Sequence, residues 1–119
     1  MATSKSASPI RLRLIFEGGR ALGPGKADML EGIAELGSIA AAGRALNMSY
    51  KRAWQLVDDL NKSFAAPLVR ASKGGGHGGG AELTPEGKQA LKLYRDIERK
   101  TQSHSAAEIK RLQALAGRK

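Results

Sequence analysis

Apolar and charged positions alternate along residues 10–17: Ile10, Leu12, Leu14 and Phe16 share one face, Arg11, Arg13 and Glu17 the other. A period of two predicts a half-buried strand that stops at Gly18-Gly19. The period then changes. In "GPGKADMLEGIAELG" the apolar residues Met29, Leu30, Ile33, Ala34 and Leu36 recur three and four apart, which predicts an amphipathic helix ended by Gly37. Ser38 is placed to cap a second helix, "SIAAAGRALN", with Ile39, Ala42 and Leu46 inward among small residues that let another helix come close. A third helix, "SYKRAWQLVDDLNKSF", starts at Ser49. Its apolar face is Ala53, Leu56, Val57, Leu60 and Phe64, and its outer face is Tyr50, Lys51, Trp54, Gln55 and Asp58. Two short helices joined by a three-residue turn, the second basic and polar at its start, predict a helix-turn-helix.

Next comes "SKGGGHGGGAELT", six glycines around His77. Glycine loses the most conformational freedom on ordering, so the flanks decide what the run does. "PLVRAS" and "AELT" both read as short strands, which makes the glycines a hairpin tip, or wing, rather than a linker between independent units. "TPEG" opens the last helix with Thr84 as cap and Pro85 in first position. Ala90, Leu91, Tyr94 and Ile97 form its stripe, which lapses and returns as Ile109, Leu112 and Leu115. Residues 84–119 are therefore one long helix or two with a break near Ser103. The fold class is mainly α with a small β component: a winged helix-turn-helix over residues 10–83, a disordered arm over 1–9, and a C-terminal helix over 84–119 for dimerisation.

Charge adds a partner to this picture. The chain has 119 residues, a net charge of +9 and a pI near 10.3. The excess is +1 over residues 1–37 and +4 in each of 38–80 and 81–119. A balance so basic points to nucleic acid or an acidic surface. Without cysteine, and with only His77 and His104 far apart, no metal site, disulfide or thiol nucleophile is expected. No cofactor is expected either. The glycine and lysine before the first helix fail the phosphate-loop pattern, because Arg20 and Ala27 stand where it needs Gly and Ser or Thr. Nothing has catalytic spacing, so the chain is not read as an enzyme. The opening "MATSKSASP" has no apolar leader core and no window suits a membrane span, so a soluble, cytoplasmic protein is expected.

"GSIAAAGRALNMSYKRAWQLVDDLN" with "LVRASKGGGHGGGAELTPEGKQALKLY" resembles the N-terminal DNA-binding domain of the molybdate-responsive ModE regulators, and the layout resembles the LysR-type winged helix-turn-helix. "GSI", "SYKRAW", an Arg followed by a glycine-rich wing, and "LT..G" carry the resemblance, over roughly residues 10 to 100. It implies a homodimeric transcriptional regulator linked to molybdenum, with one recognition helix per subunit in a major groove of double-stranded DNA. Such regulators usually carry a second half that binds molybdate. The chain stops at Lys119, so an oxyanion effector is not expected to bind within it. A winged-helix module that docks a protein, without specific DNA binding, is the competing reading.

Base contacts are expected from Tyr50, Lys51 and Gln55, which share the outer face of the first two helical turns. Lys can donate to guanine acceptors and Gln can pair with adenine. Backbone contacts are expected from Ser38, Ser49, Arg52, Arg70, Lys73, Gly75, Gly76 and His77. Ser38 also has a plain role as a helix cap. For Trp54, packing against the wing is preferred over contact with DNA, since a lone tryptophan is more often a packing residue.

Overall fold

The computed structural model describes residues 9–72 and 80–117. A short hairpin opens the fold, in which β1 (Leu14–Ile15) pairs antiparallel with β2 (Ala21–Leu22) across a 3-10 turn at Glu17–Gly19. Gly18 and Gly19 take φ of 81° and 83° there, a region that favours glycine. The alternation of burial holds from Ile10 to Leu14 and then fails, because Phe16 leaves the inner face and meets Phe64 edge-on at 5.9 Å. The expected strand over 10–17 is thus paired over only two residues. Its partner, Ala21–Leu22, is too short to show a period in the sequence.

Helix α1 (Pro24–Leu36) stops at Gly37, whose φ of 70° lets its N–H reach the Ile33 carbonyl at 2.8 Å. Met29, Leu30 and Ile33 are sealed in the core, while Ala34 and Leu36, expected inside, are exposed; Ala27 takes part instead. Helices α2 (Ile39–Ala45) and α3 (Tyr50–Ser63) begin at serine caps: Ser38 Oγ accepts from the Ala41 N–H and Ser49 Oγ from the Arg52 N–H, both at 3.0 Å. The intervening turn uses Asn47 at φ 62° and a Met48 N–H donated to the Gly43 carbonyl at 2.8 Å. Gly43 matters for packing, since a Cβ there would lie 2.7 Å from that of Ala53. The small residue lets α2 and α3 cross closely.

Strands β3 (Val69–Ser72) and β4 (Gly80–Leu83) pair antiparallel, with Arg70 opposite Glu82, and form the root of the wing. Two attachments fix that root. Asn61 Oδ1 accepts from the Leu68 and Val69 N–H groups at 2.8 and 3.0 Å, and the Ala81 N–H donates to the Gly37 carbonyl at 2.9 Å. The wing is therefore tied to α3 and to the end of α1.

Helix α4 (Pro85–His104) starts at Thr84, whose Oγ1 accepts from the Gly87 N–H and donates to the Pro67 carbonyl. It gives way at Ser105 to α5 (Ala106–Ala116), so the tail is two helices. Tyr94 enters the core at 1% exposure and donates its hydroxyl to the Leu12 carbonyl at 2.6 Å, holding the N-terminal segment to α4. Burial, with a smaller push from the Glu98 charge, drives the phenol up to about 12. The unfolded phenol titrates near 10, so the fold favours the protonated form. That stabilisation is complete below about pH 10 and is lost as pH rises towards 12. Tyr94→Phe is expected to cost about 1 kcal/mol at pH 7, the worth of one hydrogen bond, and to flatten the decline between pH 10 and 12. Urea unfolding across that range checks both; an unchanged alkaline slope would assign the decline to other groups.

Candidate nucleic-acid interface

The sequence of α3 divides it into two faces, and the fold uses them differently. Ala53, Leu56, Val57 and Leu60 are buried, which leaves Tyr50, Lys51, Trp54, Gln55 and Asp58 along an exposed ridge. Tyr50, Lys51 and Gln55, the expected base-contacting residues, are thus brought together as anticipated. Tyr50 and Trp54 are 65% and 46% exposed and stack edge to face, with ring centroids 6.1 Å apart at 67°. The one carboxylate of the ridge has its own counter-ion: Asp58 pairs with Lys62 at 2.8 Å. The hydrogen bond to Asp58 is the main cause of the raised Lys62 pKa.

Beside the ridge runs a trough of about 380 Å³, bordered by Ser38, Ile39 and Ala40 at the start of α2, by Tyr50 and Trp54, and by the wing root. Trp54 therefore has the wing root nearby, as the packing reading expects, yet nearly half of it remains open. Ser38 and Ser49 flank this surface at two helix starts. Each hydroxyl oxygen serves as a cap acceptor, which leaves its proton free of that bond.

Arg70 donates Nε to Glu82 at 2.7 Å in an exposed cross-strand pair. Such pairs contribute little to stability, and the bond engages one of five guanidinium N–H groups. Lys73, Gly75, Gly76 and His77 lie outside the described residues.

Arg52 faces a different way. It borders a concavity of about 220 Å³ with Arg13, Lys26 and Asp59 at the first turn of α1. Lys26 Nζ meets the Ala21 carbonyl at 3.4 Å. Three cations from separate parts of the chain thus collect on one flank of α3. Of the three, only Arg52 is among the backbone contacts expected from the sequence. The other two gave no local signal beyond being basic, since the hairpin and the start of α1 carry them there.

Opposite in character is the contact between α1 and α4, where Arg95 joins Asp28, Glu31 and Glu98 at 2.7–3.0 Å. Burial would lower the Arg95 pKa, but the hydrogen bonds to the three carboxylates outweigh it and hold the guanidinium above its ordinary value. A dense acidic cluster with its own cation thus lies across α1 and α4, apart from the cations on the flank of α3. Among the described residues no group of three or more His, Cys, Asp or Glu could hold a metal, and no helix is long and apolar enough to cross a membrane.

The family model of the bacterial regulatory helix-turn-helix proteins of the lysR family matches residues 27–88, from α1 to the first turn of α4. The chain is 44% identical over 80 residues to the molybdenum-pterin-binding protein MopB of Rhodobacter capsulatus, covering 67% of this chain and 30% of MopB. It is 36% identical over 107 residues to the molybdenum transport protein ModE of Azotobacter vinelandii, covering 90% and 40%. Against the DNA-binding transcriptional dual regulator ModE of Escherichia coli (strain K12) it is 37% identical over 71 residues, covering 60% and 27%. The aligned region thus spans about a third of these relatives. Among solved structures, the CbnR DNA-binding domain in complex with DNA matches with a TM-score of 0.54 at 22% identity, over 78% of this chain and 97% of that one. ArgP from Mycobacterium tuberculosis matches at 0.54 and 23%, over 73% and 30%. At these identities the structural matches establish the fold alone, a winged helix-turn-helix.

Proposed function

Because the chain belongs to the lysR family of bacterial regulatory helix-turn-helix proteins, we propose that it binds double-stranded DNA as a sequence-specific transcriptional regulator of molybdenum-linked genes. The observation that carries this reading is the α3 ridge, on which Lys51 and Gln55 stand exposed beside two aromatics while the opposite face is locked into the core. A helix held in this way can lay its first two turns along base edges in a major groove. Ser38, Ser49, Arg52 and Arg70, with Arg13 and Lys26 added by the fold, supply donors for flanking phosphates. The names of the ModE and Mop relatives support the molybdenum link.

A homodimer fits this work, with two recognition helices about 34 Å apart and a pseudo-palindromic site. Leu93 and Ile97 on α4 and Leu112 and Leu115 on α5 are exposed and apolar, a surface suited to a second copy. Light scattering at micromolar concentration is expected to give twice the chain mass; a monomer would count against this arrangement.

DNA binding is tested by titrating the full chain against duplexes enriched from a random library. Affinity is expected to fall steeply with salt, because each neutralised phosphate releases counter-ions. Lys51→Ala is expected to weaken the enriched duplex by about 1–3 kcal/mol and relax preference at one base pair. A loss equal on all sequences would make Lys51 a phosphate contact. No salt-sensitive binding to any duplex would leave protein docking as the function of this surface.

A further inference from the structure

We propose that Trp54, braced by Tyr50, reads thymine: the carbon edge of its indole receives the 5-methyl group of a thymine in the major groove. This inference rests on the DNA-binding reading above and names a base-reading residue that the sequence assigned to packing.

The core does not need this side chain. Ala53, Leu56, Val57 and Leu60 close the inner face of α3, and Trp54 lies on the other side, 46% exposed although the wing root borders it. At about 100° per residue, position 54 falls between Tyr50 and Lys51 around the helix, near the middle of the ridge and one turn from its start. An indole there is among the groups nearest to any groove that α3 enters.

Chemistry then selects the target. Base edges in the major groove offer hydrogen-bond donors, acceptors and one apolar group, the thymine methyl. Lys51 and Gln55 beside Trp54 can address the polar edges. The indole has a single N–H donor and is otherwise apolar, so the methyl is the matching surface. The edge-to-face contact with Tyr50 at 6.1 Å restrains both rings before any DNA arrives, which lowers the ordering cost of binding. Lys51 on the ridge, with Asp58 already paired to Lys62, suits a polyanion better than an apolar protein face.

The test uses the full chain and duplexes enriched by it from a random library, with thymines replaced one at a time by deoxyuridine. That change removes the methyl and keeps the base pairing. At one or two positions per half-site the replacement is expected to weaken wild-type binding about fourfold, the value of one buried methyl-sized group. Trp54→Ala is expected to bind the thymine duplex more weakly and to lose that response, while Tyr50→Phe, which keeps the ring, retains it. Circular dichroism of Trp54→Ala confirms that the helices persist, and the wild-type series stands independently of the variant.

The proposal is overturned if no thymine responds in the wild type, as a tryptophan lying on sugar would give, or if Trp54→Ala keeps the full response. Salt-sensitive selective binding that ignores deoxyuridine would remove the thymine assignment and leave DNA binding intact. Failure to enrich or bind any duplex would remove both.

Discussion

Replacing Gly87 with alanine is expected to lower the unfolding free energy by about 3 kcal/mol or more, at the upper end of what overpacking costs. A Cβ built at position 87 collides with the backbone carbonyl of Leu68, a neighbour with no flexible end to move aside. Leu68 is itself fixed, because its N–H is held by Asn61 and its carbonyl accepts from the Thr84 N–H at 3.0 Å. The chain before β3 and the first turn of α4 therefore meet backbone to backbone, and only glycine permits it. With total stabilities of about 5–15 kcal/mol for domains, one methyl group would remove a large share. Urea unfolding of Gly87→Ala checks this. Gly25, where a Cβ meets nothing within 4 Å, provides a control whose alanine variant is expected to stay close to wild type.

The second large effect is expected at Arg95. Its side chain is 17% exposed and donates to Asp28 at 2.9 Å, to Glu31 at 2.7 and 2.9 Å, and to Glu98 at 3.0 Å. Methionine would keep much of the stem but leave three carboxylates facing one another, two of them almost sealed from water. Removing one partner of a buried ion pair typically costs about 3–5 kcal/mol, because the remaining charge is left uncompensated. Arg95→Met is expected to lose that much. Adding Asp28→Asn and Glu98→Gln in the same chain should recover part of it, since the uncompensated charge is then removed. A loss below about 1 kcal/mol would mean that water reaches the carboxylates and that α1 and α4 are held by apolar contacts alone. DNA affinity, measured where each variant is folded, should change little, because the cluster lies away from the α3 ridge.

These two sites mark the limits of what the sequence made legible. Ser38, Ser49 and Thr84 could be read as caps because capping is a local event, decided within four residues, and the faces of α3 could be read because its residues sort by helical period. The wing followed from a glycine run between two strand-like pieces. Other features depend on segments far apart in the chain. Arg95 finds Asp28 across 67 residues, and nothing near either residue announces the other. Gly87 is part of the "LT..G" pattern, but the carbonyl that requires a glycine belongs to Leu68. Phe16 follows the alternation in sequence and leaves it in the fold, because the glycine turn after it redirects the chain towards Phe64. In the same way Arg13 and Lys26 join Arg52 only once the first hairpin is formed.

The exposed ridge of α3 is proposed here as the surface that meets DNA. Lysine acetylation of the full chain, with and without a saturating enriched duplex and read residue by residue by mass spectrometry, tests it most directly. Lys51 is expected to be strongly protected by the duplex while Lys92 on α4, also exposed, reacts at an unchanged rate. Bound duplex that leaves Lys51 as reactive as in the free protein, with protection on α4 instead, would contradict it.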